Sequence, residues 1–226
     1  MPALNRRTAV VAAVATLGVA GSTFLAVGLT DSRQPAAATG SSDPVAAATA
    51  PATTPVGEPA QPTLPAEGEE LPVPTSDVHV TVPAVGLDLP VLPLTPQQGV
   101  INPPTLTAAY WIEPYGAPVG DVAQADNTLY LAAHSTSAGV YGFDALMDPD
   151  GKGSTLAPGD LVEVSTPAGA VGYEVKRTER YAKGELPAAA EVWEAVPGRL
   201  VLITCLQLGG GRASSENLVV FAEALT

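Results

Sequence analysis

From Asp77 onward the apolar residues come in short runs, and Gly, Pro, Asn or Asp punctuates the gaps between them. Such runs suit strands better than helices, so this stretch of about 150 residues is expected to fold as a mainly β domain. The runs predict strands at Val78 to Val82, Pro90 to Leu94, Thr128 to Ala133, Leu161 to Ser165, Val171 to Tyr181, Leu200 to Cys205 and Leu218 to Glu223. Val162 and Val164 alternate with Glu163 and Ser165, the mark of a strand with one wet face. Leu129 to Ala133 and Leu200 to Ile203 are apolar almost throughout and belong at the centre of a sheet. Seven or eight short strands avoid unprotected edges by closing, or nearly closing, into a β-barrel. Helix is scarce: a turn or two near Pro104 to Ala108, one at Tyr141 to Met147, and Ala188 to Ala195, where Trp193 can face the core.

The chain before Asp77 has a different texture. Arg6 and Arg7 precede an uncharged stretch from Thr8 to Thr30, 23 residues of mainly Ala, Val, Leu and Gly. As a helix it would reach roughly 35 Å at about 1.5 Å per residue, enough to span a hydrocarbon core. Two readings compete, a cleaved secretory signal and an uncleaved signal-anchor. The length favours the anchor, because signal cores usually run about 7 to 15 residues. Small residues near Ala26 and at Ala36 to Ala38 keep a cleavage site open. Either way the Arg pair stays inside and the rest of the chain faces outward. Residues 31–76 are rich in Ala, Pro, Thr and Ser without helical or strand periodicity, which makes them a disordered linker between the transmembrane segment 1–30 and the domain 77–226.

Twenty-three acidic residues against 10 Lys and Arg give a net charge of −13, which argues against a nucleic-acid partner. The chain has one cysteine, Cys205, so it forms no internal disulfide, and export would expose the thiol to an oxidising compartment. A lone cysteine there is a small core residue, half of an intermolecular bridge, or a nucleophile. Cys205 ends the apolar run Leu200-Val201-Leu202-Ile203-Thr204 and is followed by a Gly-rich loop, so a rigid element holds it near solvent. Alternation puts it on the face of Val201 and Ile203, with Thr204 on the other.

An ordinary thiol is only a few per cent thiolate at neutral pH, so a nucleophilic Cys needs an imidazole or a cation nearby. His134 follows the run Leu129-Tyr130-Leu131-Ala132-Ala133 and opens the polar Ser135-Thr136-Ser137, so it too stands at a strand end. His79, in the first strand, reads as structural. Acyl transfer through a thioester puts negative charge on a carbonyl oxygen, which a guanidinium or backbone amides must stabilise. Arg212 is the only Lys or Arg after Cys205. In an acidic domain a loop arginine also serves as an ordinary surface ion-pair partner. Asp148-Pro149-Asp150-Gly151-Lys152-Gly153 lacks the spaced ligands and closing Glu of a calcium loop and reads as a turn.

Leu202-Ile203-Thr204-Cys205 resembles the Leu-x-Thr-Cys signature of the sortases, and the order His, Cys, Arg matches that family. Val82-Pro83-Ala84-Val85-Gly86-Leu87 is similar to the Ile-Pro-x-Ile-Gly-Val opening of sortase domains, Gly116-Ala117-Pro118-Val119-Gly120 to their Gly-x-Pro-Gly loop, and Leu131-Ala132-Ala133-His134 to their strand ending in Ala/Gly-His. Phe143 to Leu146, Pro158-Gly159-Asp160 and Asn217 to Ala222 fit as well, so the resemblance covers most of Val78 to Leu225. Within the family the chain looks most like the actinobacterial class E and class F types.

The resemblance implies a sortase-like β-barrel and a cysteine transpeptidase that needs no cofactor and no metal. Cys205 would attack the threonine carbonyl of a sorting-signal peptide of the Leu-Pro-x-Thr-Gly kind. His134 would move protons, Arg212 would steady the oxyanion, and Thr204 would shape the substrate groove. The partners implied are surface-protein sorting signals and an amine acceptor, a cell-wall precursor or a pilin lysine. One departure stands out: the family's arginine usually lies at about the place of Glu216 or Asn217, later than Arg212. Two other readings remain. L,D-transpeptidases are also exported Cys/His enzymes, but they resemble Ser-x-Gly-Cys-Ile/Val-Arg, which Thr204-Cys205-Leu206-Gln207 does not match. A non-catalytic stalked binding domain would leave His134 and Cys205 far apart.

Overall fold

Alternation along the strands sorts the side chains into two separate apolar clusters, and this is what closes the sheet. In the computed structural model, residues 63–66, 69–113, 115–116, 127–207 and 214–225 are described. The expected anchor, most of the expected linker and Arg212 lie outside them. Among the described residues no helix is long and apolar enough to cross a membrane.

Eight strands follow in chain order: β1 (His79–Val82), β2 (Leu87–Leu94), β3 (Ala109–Ile112), β4 (Leu129–Ala132), β5 (Leu161–Thr166), β6 (Gly169–Ala182), β7 (Arg199–Leu206) and β8 (Glu216–Ala224). They form a closed barrel in the order β1-β2-β3-β4-β7-β8-β6-β5, with β5 returning to β1. The pairs β2/β3 and β4/β7 are parallel and the others antiparallel. Closure leaves no edge strand to protect, as seven or eight short strands require.

Every strand contributes to an inner cluster, including Val80, Val91, Ala109, Leu131, Val164, Tyr173, Leu202 and Val220. A second cluster, with Tyr130, Ala132, Val201, Ile203, Val219 and Phe221, takes the intervening positions of β4, β7 and β8 and so lines the barrel's outer face. Burying each large aliphatic side chain contributes about 1.5–3 kcal/mol. β4 and β7 carry both clusters, which explains why their sequences are apolar without a break.

The seven expected strands all form. β3 was not expected, because Ala109–Ile112 is too short to show a period and follows a segment read as helical. β2 starts earlier than Pro90, because Leu87–Pro90 pairs with β1 and Val91–Leu94 with β3, Val91 N also donating to Val78 O just before β1. Each half therefore has an unpaired side where a proline's missing N–H costs nothing.

Pro104 to Ala108 forms no helix, contrary to the expectation. Its groups are committed to tertiary partners: Thr107 Oγ1 donates to Pro72 O, the Leu106 carbonyl accepts from Gly142 N, and the Thr105 hydroxyl bonds the Tyr110 hydroxyl. The expected turn at Tyr141 to Met147 is a 3-10 turn over Asp144–Leu146. The segment Ala188 to Ala195 holds a single helical turn, α1 (Ala190–Trp193). Trp193 rests on the outer cluster, its ring centroid 5.2 Å from that of Tyr130, and its indole N–H donates to Leu186 O. Asp148–Gly153 is a turn, closed by Asp148 N on Gly153 O.

Candidate active site

The parallel pairing of β4 with β7 brings the candidate residues together. Its register runs from Leu129 opposite Leu200 to Ala132 opposite Ile203. The ladder ends there, and β4 leads directly into Ala133 and His134 while β7 runs on to Cys205, so the two candidates follow the same end of one strand pair. Alternation then puts both side chains on the outer face, with Ala132 and Ile203 beneath them.

Past the last ladder pair, side chains hold the two chains in register. Ala133 N donates to Ile203 O, the Thr204 hydroxyl donates to Ala133 O at 2.8 Å, and the Ser135 hydroxyl donates to Cys205 O. The Gln207 side-chain amide closes the clamp on Ser135 O at 3.1 Å.

The loop after His134 is fixed from its other end. Asp144 is buried, and its carboxylate accepts from Thr136 N, from the Thr136 hydroxyl at 2.6 Å and from Tyr141 N at 2.9 Å. Gly142 has a φ of +47°, and a Cβ there would lie 2.1 Å from His134 O. Only glycine lets this turn press against the histidine backbone, where Phe143 N donates to His134 O at 2.8 Å.

His134 is buried, and its Nε2 lies 2.7 Å from Pro103 O. A carbonyl can only accept, so Nε2 carries the proton and the neutral ring keeps its lone pair on Nδ1. Burial pushes the imidazole pKa below its usual value, and the bond to Pro103 O only partly opposes this. The ring is therefore a neutral base at neutral pH. Cys205 is partly exposed.

Both side chains line a cavity of about 620 Å³. Gly99 to Pro103 form one wall, and Tyr115, Leu186 and Trp193 supply apolar surface. Lys183 and Asn217 add polar groups on the side of β6 and β8. Thr204 also borders the cavity, with its hydroxyl committed to β4. A partly exposed thiol beside a base, over an apolar floor, can carry out acyl transfer on a peptide laid across it.

α1 covers the outer cluster because buried Arg199 holds it down. The guanidinium donates to Thr128 Oγ1, to Glu191 O and to Val192 O, at 2.9, 2.9 and 3.1 Å.

The sequence singled out Cys205, His134, Thr204 and Arg212. The structure brings the first three together, and Arg212 lies outside the described residues. His79 pairs with Asp88 at 2.8 Å on the surface, and β1 is not among the elements lining the cavity. Ser135, Gln207, Asp144, Pro103 and Asn217 were not singled out. Ser135 follows His134 directly, but its partner is 70 residues away. Among the described residues no group of His, Cys, Asp and Glu could hold a metal ion.

No family model matches the sequence, and no curated protein matches it. Solved structures do match. Sortase A of Listeria monocytogenes is 17% identical, with a TM-score of 0.50 over 67% of this chain and 88% of that one. The chain has the sortase fold. Two further sortase structures also match. Sortase C-1 of Actinomyces oris is 21% identical, with a TM-score of 0.45 over 66% of this chain and 73% of that one. A lid mutant of sortase A from Corynebacterium diphtheriae is 18% identical, with a TM-score of 0.46 over 71% of this chain and 74% of that one. The barrel expected from the sequence resemblance is thus the one observed.

Proposed function

We propose that the protein is a cysteine transpeptidase of the sortase type, and the observation that supports this most is that His134 and Cys205, which follow the same end of the paired strands β4 and β7, line one cavity. In this reading the substrate is a Leu-Pro-x-Thr-Gly-like sorting signal. The Cys205 thiol gives its proton to His134 Nδ1, and Sγ bonds the threonine carbonyl carbon as the C=O electron pair moves onto oxygen. The oxyanion then collapses, the C–N bond breaks, and the departing amine takes the proton from His134. A primary amine attacks the resulting thioester, forming a new C–N bond and breaking the C–S bond. Its surplus proton returns through His134 to the thiol. Arg212 is assigned, by resemblance to the family, to steady the oxyanion and hold the peptide. Thr204 is assigned to the groove wall.

The acceptor amine belongs to a cell-wall precursor or to a pilin lysine. Residues 1–30 anchor the protein in the cell membrane as a single pass, and residues 31–76 carry the domain outward into the wall. Incubation with a Leu-Pro-x-Thr-Gly peptide and an amine such as triglycine is expected to yield the joined peptide. Cys205→Ala is expected to abolish the joining, and full activity in that variant would sink the reading.

A further inference from the structure

The antiparallel ladder of β7 with β8 sets Cys205 directly opposite Asn217, and that of β6 with β8 sets Asn217 opposite Tyr181. Directly opposed residues share a face, with Cβ atoms about 4.5–5.5 Å apart. Across the outer face, therefore, Cys205 on β7 lies between Asn217 on β8 and the end of β4, which His134 follows. Asn217 borders the same cavity as the other two.

Several other polar groups near the thiol are committed. The Thr204 hydroxyl donates to Ala133 O, the Ser135 hydroxyl to Cys205 O, and the Gln207 amide to Ser135 O. The Tyr181 hydroxyl lies within hydrogen-bond distance of Glu179 Oε2 and Glu191 Oε1. Cys205, Leu206, Glu216 and Asn217 are paired within the β7/β8 ladder. The Asn217 side-chain amide makes no hydrogen bond among the described residues. Its backbone is paired on both sides, which fixes where that amide can reach.

We propose that Asn217 Nδ2–H donates to the substrate carbonyl oxygen as Cys205 attacks, which makes Asn217 a catalytic residue of the site and an oxyanion donor in addition to the one assigned to Arg212. This rests on the transpeptidase reading above. When Sγ bonds the carbonyl carbon, the electron pair displaced onto oxygen needs a donor on the side away from His134, because the imidazole must reach the departing nitrogen. Asn217 occupies that side. A neutral amide held rigidly at the point where charge develops stabilises the tetrahedral intermediate without reorganising.

The test is the single-turnover rate of acyl-enzyme formation on Cys205, followed by mass, for wild type, Asn217→Ala and Asn217→Asp. Alkylation by iodoacetamide, which needs the thiol but no oxyanion donor, is the control. Asn217→Ala is expected to slow acylation about 10²-fold, with the loss in kcat rather than KM and with alkylation unchanged. Asn217→Asp keeps the shape but cannot donate and brings a negative charge, so it is expected to lose at least as much. If the alanine variant does not fold, the aspartate variant decides. Acylation within about threefold of wild type in a folded variant overturns the assignment of Asn217 alone. A wild type that acylates with no sorting-signal peptide overturns the functional reading, and this assignment with it.

Discussion

The two faces of the β4/β7 pair are built from the same two strands and do different work. The inner face, with Leu129, Leu131, Leu200 and Leu202, is aliphatic and sealed by closure of the barrel. The outer face, with Tyr130, Ala132, Val201 and Ile203, is covered only in part, by α1 and the turn before it, and its open end is the cavity that holds His134 and Cys205. Enclosure by the barrel secures the first face. The second depends on a few polar anchors, so changes on the inside should alter stability and changes on the outside should alter the site.

Arg199→Met should give the largest effect. It leaves the carbonyls of Glu191 and Val192 without their donor, and an orphaned buried polar group costs about 1–3 kcal/mol, so roughly 3–5 kcal/mol in all is expected from urea unfolding. It should also loosen α1 over the outer cluster and slow acyl transfer, whereas unchanged transfer would show that the cover is not needed. Leu202→Ala, on the inner face, should cost about 2–5 kcal/mol while activity per folded molecule stays the same. A loss of activity there would dissolve the contrast between the faces. Gly142→Ala forces a Cβ against His134 O at a left-handed φ, and should cost about 1–3 kcal/mol together with most of the transpeptidase activity.

The smallest effect is that of pH on His134. Its pKa in the folded protein lies below the usual 6.5, so between those two values the unfolded chain binds more protons than the folded one. Its contribution to stability is therefore full above about pH 6.5 and is lost as pH falls toward the lower folded value. A His134→Asn variant should show a flatter dependence of unfolding free energy on pH across that window. A dependence as steep as in wild type would mean that His134 is not the group responsible.

Much of the fold was legible because the signal was local. Val162 and Val164 alternate with polar neighbours, and the runs at Leu129 and Leu200 are apolar enough to be central. β3 was missed because four residues cannot show a period, and because the segment just before it, Pro104 to Ala108, was expected to be helical. Cys205 and His134 could be picked out as candidates because each closes a long apolar run, and both line the cavity. Their partners could not. Ser135, Gln207 and Asn217 matter through the strand register, and a parallel pairing between residues 71 apart leaves no mark in the local sequence. Asp144 and Gly142 act on the backbone next to His134, so their role emerges only once the loop is closed.

The central claim is that the outer face assembles a nucleophile and its base. It is tested most directly by the mass of the protein after brief exposure to a Leu-Pro-x-Thr-Gly peptide without amine. The account predicts an increment equal to the peptide up to its threonine, mapped to Cys205, absent in Cys205→Ala and strongly diminished in His134→Ala. An acyl group on another residue, or equal labelling in the His134→Ala variant, would contradict it.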